Sequence, residues 1–281
     1  MQALDIQLWT DPDGKLRVYW TQNNAIVDDE SNASIEGYRK NGYIWCDNRH
    51  AAWTMVCDNP DDDNPVFSEP HYWGIGFLRC KPIVLDDGRW MFCNYDQLCD
   101  CYGYSISTDC GKTYERCYGG TKVQTDHDEP MAYQRKDGSI RMLARSTVGE
   151  LGESISNDRG TSWSGGIPSG IESPNSRFWI SRTPTGRILL VNNDHRTSRC
   201  RMSVRLSEDD GATWKYKRCV DEREALSYPD VEFCNGKILL TYDRERIGVR
   251  EILFTSFTED DIMNENYSFD ISIACKPDAK K

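Results

Sequence analysis

The sequence predicts an all-β chain, a β-propeller of about five four-stranded antiparallel blades. Three observations lead there. One eight-residue phrase is written three times: "STDCGKTY" (107–114), "SNDRGTSW" (156–163) and "SEDDGATW" (207–214). Each copy reads Ser, any, Asp, any, Gly, any, Thr or Ser, aromatic, and the copies begin 49 and 51 residues apart. Paired runs rich in Val, Ile, Leu, Tyr and Trp surround Asp-Gly, Thr-Gly or Asn-Gly, which marks hairpins. Hairpins and phrases alternate at a spacing of ~50 residues, and such a period signals repeated supersecondary units.

The elements follow in order. "IQLWTDPDGKLRVYWTQ" (6–22) is a hairpin turning at Asp13-Gly14. "PDDDNPVF" (60–67) reads as a worn copy of the phrase, with Asp62 and Phe67 in the Asp and aromatic places and Asn64 in place of Gly. "KPIVLDDGRWMFCNYD" (81–96) turns at Asp86-Asp87-Gly88, and "EPMAYQRKDGSIRMLAR" (129–145) at Asp137-Gly138. "SRFWISRTPTGRILLVNN" (176–193) turns at Thr185-Gly186, and "YPDVEFCNGKILLTYDR" (228–244) at Asn235-Gly236. After each hairpin a third strand leads into the phrase and a fourth follows. The phrase itself is a structural turn: its Ser and Asp oxygens bond to nearby backbone N–H groups, and its Gly supplies a positive φ. Tyr114, Trp163 or Trp214 then packs between blades. The EF-hand pattern for calcium is not met. "YSFDISIACKP" (267–277) lies in a tail, residues 263–281, able to add a closing strand to a single domain of residues 1–281.

Composition bounds the function. A net charge of -11 argues against nucleic acid or anionic membrane as partner. It leaves room for a small anion in a local basic pocket. No apolar run reaches the ~18 residues a membrane helix needs, and residues 1–20 lack the marks of a signal peptide. The 12 cysteines contain no C-x-x-C pair, so zinc is not expected, nor any other metal or cofactor. Cysteines within apolar strands read as buried thiols in a reducing compartment. The sequence says nothing of oligomeric state.

In a propeller the first strand of each unit lines the central axis. Lys81, Glu129, Arg177 and Tyr228 open those strands and are spaced 48, 48 and 51 residues apart, in step with the repeat. Charged and phenolic groups are thereby expected to converge. Here the chain resembles a known family. The repeated phrase is similar to the Asp box of the sialidase (neuraminidase) superfamily. "DEPMAYQRKDGSIRMLAR" resembles that family's segment in which a Glu precedes an apolar strand and an Arg. "RCRMSVRLSEDDGATW" followed by "SYPDV" resembles the segment with a pocket Arg, an Asp box and a nucleophilic Tyr. "KPIVLDDGRW" and "YDRERIGVREILFTSFTEDD" resemble phrases of its bacterial branch.

The resemblance implies a sialidase that frees terminal sialic acid, or a related acidic sugar, from glycoconjugates. Tyr228 would be the nucleophile and Glu129 its base, the tyrosine variant among retaining glycosidases. Arg145 and Arg199 would grip the substrate carboxylate with planar bidentate donors. Arg177 is placed near the axis by register, with Lys81, Asp128 and Asp230 as further polar residues of the pocket. Two departures stand out. The family's early R-I-P segment, with its first Arg and its acid/base Asp, has no counterpart, so five blades are expected where the family has six. Asp128 and Asp230 are available carboxylates, but no residue is identified as the acid/base. Two other readings stay open: a carbohydrate-binding propeller without turnover, and a propeller lyase on uronic-acid polysaccharide.

Overall fold

A computed structural model describes residues 2–23, 26–28, 38–40, 43–45, 50–96 and 99–277. The chain divides into two compact units, Met1–Thr121 and Lys122–Lys281. Each is built of sequential four-stranded antiparallel sheets.

The first unit opens with β1 (Gln2–Thr10), β2 (Leu16–Asn23), β3 (Ile26–Asp28), β4 (Tyr38–Lys40), β5 (Tyr43–Trp45), β6 (His50–Cys57) and β7 (His71–Ile75). β1, β2, β6 and β7 make its first blade, while β3, β5 and β4 form a small separate sheet. The hairpin between β1 and β2 closes as the sequence predicts. Gly14 has φ 82, and its N–H donates to the Asp11 carbonyl at 2.9 Å. Next come β8 (Phe77–Leu78), β9 (Ile83–Val84), β10 (Trp90–Phe92), β11 (Asn94–Tyr95), β12 (Cys101–Ser107) and β13 (Glu115–Thr121). β9, β10, β12 and β13 form the second blade, and β8 pairs with β11 beside it. Tyr19, Ala52, Trp73, Leu78 and Phe92 are the core between these sheets. Aromatic edges interlock there, with Trp9 and Trp90 centroids 4.8 Å apart and Tyr19 and Phe92 4.9 Å apart.

The second unit holds three blades. They are β14 (Met131–Gln134) to β17 (Ile167–Glu172), β18 (Trp179–Arg182) to β21 (Tyr216–Asp221), and β22 (Leu226–Cys234) to β25 (Ser272–Cys275). Within them run β15 (Ile140–Ala144) and β16 (Glu150–Ser156), β19 (Ile188–Asn193) and β20 (Met202–Ser207), and β23 (Lys237–Arg244) and β24 (Glu251–Phe257). In each sheet the strands pair in chain order. Every residue of β19 and β20 is buried, as suits central strands covered on both faces. β25 pairs with β24 and completes the last sheet. Among the described residues no helix is long and apolar enough to cross a membrane.

The repeated phrase joins third and fourth strands. In the copy at 207–214, the Ser207 hydroxyl accepts from Gly211 N at 2.8 Å, and Asp209 accepts from Thr213 N at 2.8 Å and Thr213 Oγ1 at 2.6 Å. The backbone is left-handed at two consecutive residues in each copy: Cys110 and Gly111, Arg159 and Gly160, Asp210 and Gly211. The turn also docks on the neighbouring blade of its unit. Arg141 on β15 donates to the Gly211 carbonyl at 2.6 Å and is anchored by Glu153 at 2.8 Å. Arg17 on β2 likewise donates to the Cys110 carbonyl at 3.0 Å and is anchored by Asp11 at 2.7 Å. Tyr114 fulfils its inter-blade role, meeting the Tyr19 hydroxyl at 2.9 Å.

Residues 60–67 correct one expectation. They join β6 to β7 as a phrase should, and Asp62 accepts from Asn64 N at 3.0 Å. Neither Asp63 nor Asn64 is left-handed. Pro60 and Val66 stand where the hydroxyl residues belong, so the bonds that fold the other turns cannot form. In the last sheet a short helix, α1 (Glu259–Met263), takes the phrase's place. Thr258 caps it, and Glu259 accepts from Thr185 Oγ1 and Arg187 of the preceding blade, both at 2.7 Å.

Candidate active site

Five connections and one strand irregularity of the second unit build the site. Glu129 and Arg177 stand just ahead of β14 and β18, where the register argument places them. Tyr228 differs. It lies inside β22, at a bulge: Ser227 faces Asp243 and Asp230 faces Thr241, so β22 carries one residue more than β23 between those pairs. The extra residue kinks the strand and re-aims the side chain. Tyr228 has φ 54 and Glu129 φ 38, left-handed values that cost non-glycine residues about 1–3 kcal/mol each and concentrate at functional sites. Pro130 and Pro229 follow them directly.

The Tyr228 hydroxyl donates to Glu129 Oε1 at 2.9 Å. Arg145 Nη1 donates to the other oxygen, Oε2, at 2.9 Å. Glu129 is buried, and both its oxygens are engaged. Arg145 Nε donates to Asn175 Oδ1, and Arg199 Nη2 donates to the Asn175 carbonyl at 2.9 Å. Asn175 thus seats two guanidinium groups. Ser227 Oγ receives a long contact from Arg199 Nη1 at 3.5 Å and donates to Asp243 Oδ1 at 2.6 Å. Asp243 Oδ2 in turn accepts from Arg246 Nε.

Positive charge crowds the phenol. The guanidinium carbons of Arg246, Arg199 and Arg177 lie 3.6, 5.9 and 6.0 Å from the Tyr228 ring centroid. Burial, and next the repulsion of Arg145, pull the Arg199 guanidinium below its ordinary pKa. Arg177 is only 8% exposed, and its Nε and Nη2 have no hydrogen-bond partner among the described residues. The Asp230 carboxylate stands 3.8 Å from that Nη2, outside bonding range. A buried, unsatisfied cation is costly, and an anion brought here would relieve it. Asp128 is buried with its Oδ1 3.3 Å from Lys122 Nζ.

Tyr228, Glu129, Arg145, Arg199, Arg177 and Asp230 therefore come together in one unit. Lys81 belongs to the unit Met1–Thr121, partly buried between Arg79 and β9. Four further residues escaped the sequence reading: Asn175, Ser227, Asp243 and Arg246. Asp243 and Arg246 lie within the quoted "YDRER" stretch, which was matched as a phrase rather than as side chains. Among the described residues no cluster of His, Cys, Asp and Glu could hold a metal ion. The arrangement offers a phenol with a buried base in contact, beside several guanidinium groups.

Comparison with known proteins bears on the fold. A family model described as BNR repeat-like domain matches residues 4–240. No curated protein matches. Among solved structures, the intramolecular trans-sialidase from Ruminococcus gnavus, in complex with oseltamivir carboxylate, superposes with a TM-score of 0.71 at 14% identity, over 94% of this chain and 79% of that one. The NanB sialidase from Streptococcus pneumoniae gives a TM-score of 0.65 at 15% identity over 86% of this chain, which spans 53% of that protein's length. A protein of unknown function from Dyadobacter fermentans gives 0.68 at 14% identity, over 90% of this chain and 75% of that one. Identities this low carry the fold alone, and the fold agrees with the sheets described above. With its repeats matched from residue 4 to 240, the chain belongs to the BNR repeat-like domain family and has the β-propeller fold of the sialidases.

Proposed function

We propose that the chain is a glycoside hydrolase of sialidase type, releasing terminal sialic acid or a related acidic sugar from glycoconjugates. The observation that carries this reading is the 2.9 Å bond from the Tyr228 hydroxyl to Glu129, set among three guanidinium groups. Sialic acid bears a carboxylate on its anomeric carbon, which would repel a carboxylate nucleophile; a neutral phenol avoids that. In the first step Tyr228 Oη bonds to the anomeric carbon and its proton passes to Glu129 Oε1, while the bond to the glycosidic oxygen breaks and that oxygen departs as an anion that takes a proton from solvent. Arg145 steadies the other carboxylate oxygen throughout. Water then attacks the same carbon and loses one proton to solvent, the bond to Oη breaks, and Oη recovers its proton from Glu129. Arg199 and Arg177 hold the sugar's carboxylate. The competing reading, carbohydrate binding without turnover, draws on the site's carboxylates: Asp128 pairs with Lys122, and Asp230 neighbours Arg177.

The test is hydrolysis of 4-methylumbelliferyl N-acetylneuraminide, whose aryl leaving group departs without help from an acid. Tyr228→Phe is expected to lower kcat on the order of a thousandfold or more. Undiminished activity in that variant would overturn the assignment. Calorimetric binding of free N-acetylneuraminic acid by a wild-type protein that shows no turnover would select the binding reading.

A further inference from the structure

The connection between β23 and β24 is a closed loop with a hydrocarbon tip. Ile247 is 93% exposed, the most of any large apolar side chain among the described residues, and Val249 is 46% exposed. The loop holds them there. Glu245 and Arg250, at its two ends, are left-handed, with φ 50 and 56. The Arg250 N–H closes the loop on the Glu245 carbonyl at 2.9 Å, and the Glu245 N–H ties it to the Ala225 carbonyl at 3.0 Å, just ahead of β22. The Glu245 carboxylate folds inward: it accepts from Arg244 Nη2 at 3.2 Å and meets the Val249 N–H at 3.4 Å. A Cβ on residue 248 would stand 2.5 Å from that carboxylate, which glycine avoids. The acidic group is thus turned in and the two apolar side chains are left outside.

The tip borders the phenol. Ile247 follows Arg246, whose guanidinium carbon lies 3.6 Å from the Tyr228 ring centroid. In a displacement at an anomeric carbon the nucleophile and the leaving group stand on opposite faces of the sugar ring. Tyr228 Oη is bonded to the buried Glu129, so a leaving group projects away from that base, toward the exposed connections. The loop, "RERIGVRE" (244–251), carries no aromatic ring to stack on a second sugar. A hydrocarbon group laid on Ile247 and Val249 would remove apolar surface from water, and a hydroxyl-rich sugar would not.

Resting on the reading that this site takes a sialoside at Tyr228, we propose that Ile247 and Val249 form an apolar subsite for the leaving group. The preferred substrates are then sialosides with a hydrocarbon aglycone at the glycosidic oxygen rather than a second sugar. Methyl and octyl thioglycosides of N-acetylneuraminic acid test this, because their sulfur link resists hydrolysis. Each is titrated calorimetrically into wild type, Ile247→Ser and Ile247→Leu, the octyl compound below its micellar concentration. Wild type should bind the octyl compound roughly tenfold more tightly than the methyl one, and Ile247→Ser should lose roughly three- to tenfold for octyl and nothing for methyl. Ile247→Leu should keep the preference, and melting curves should coincide, since the side chain is exposed. Wild type without an octyl preference overturns the proposal, as does Ile247→Ser that keeps the full preference or weakens both ligands equally. Turnover of the aryl sialoside is measured alongside. A preference that Ile247→Ser loses, in a wild type without turnover, sinks the hydrolase reading and upholds the apolar subsite; turnover without the preference does the reverse. Wild type that binds neither thioglycoside and hydrolyses nothing overturns both.

Discussion

Tyr228 and Glu129 hold left-handed backbone angles of 54° and 38° with full side chains attached, so backbone torsion as well as rotamer choice sets the phenol's aim. Glycines in the same region of φ show what surroundings add. Gly186 has φ 91 and open space where a Cβ would go; Gly211 has φ 81, but a Cβ there would press into the Tyr133 hydroxyl. Gly186→Ala should cost about 1–2 kcal/mol, the left-handed penalty alone. Gly211→Ala should cost roughly 1 kcal/mol more, because the 3.1 Å bond from Tyr133 to the Asp210 carbonyl is displaced. Urea titrations of the two variants check the difference, and equal losses would mean that the turn is not docked as described. At this scale the sequence is only partly legible. Register along the repeats marks Glu129, Arg177 and Tyr228. Arg246 follows no periodic rule, since only the closing of the β23–β24 connection brings it over the ring.

The repeated phrase is an element with a measurable acid dependence. Its carboxylates, Asp109, Asp158 and Asp209, are each held at about 2, first by the side-chain hydroxyl and then by the backbone N–H of Thr113, Ser162 and Thr213 respectively. An ordinary Asp titrates near ~4. A group depressed on folding adds stability that is complete above its unfolded pKa and lost as pH falls through the folded one. The melting temperature should therefore decline between pH ~4 and ~2, and Asp209→Asn should flatten part of that slope. An unchanged slope would detach the turn from acid stability. Docking of the turn is predicted to matter more. Arg141→Met leaves Glu153 buried without its partner and should destabilise by about 3–5 kcal/mol. The hairpins and turns were legible because Asp-Gly chemistry is local. Three features were not: the small sheet of β3, β5 and β4, the β8–β11 pair, and α1 in place of a fourth phrase. Each answers to tertiary pairing rather than to a motif. Pro60 and Val66 show the limit of matching half a pattern.

For the whole molecule, an acidic chain of net charge -11 gathers four arginines, Arg145, Arg177, Arg199 and Arg246, around one phenol and its base. Bulk composition argues against nucleic acid as an expected partner but could not reveal this local cluster, whose members are distant in sequence. The thiols behave similarly. Among the described residues eleven cysteines are free. Cys57, Cys80, Cys93 and Cys200 are buried as apolar fillers, whereas Cys110, Cys234 and Cys275 are exposed. Reductant should leave the melting temperature unchanged, since loss of a native disulfide typically costs about 2–5 kcal/mol; a clear drop on adding dithiothreitol would contradict the free-thiol description. The irregularity in β22 has a genetic corollary. Strand faces alternate with every position, so removing the Pro229 codon, which leaves Tyr228 in place, would straighten the ladder and re-aim the phenol. Such a deletion would spare every hairpin and every Asp box, yet disarm the protein.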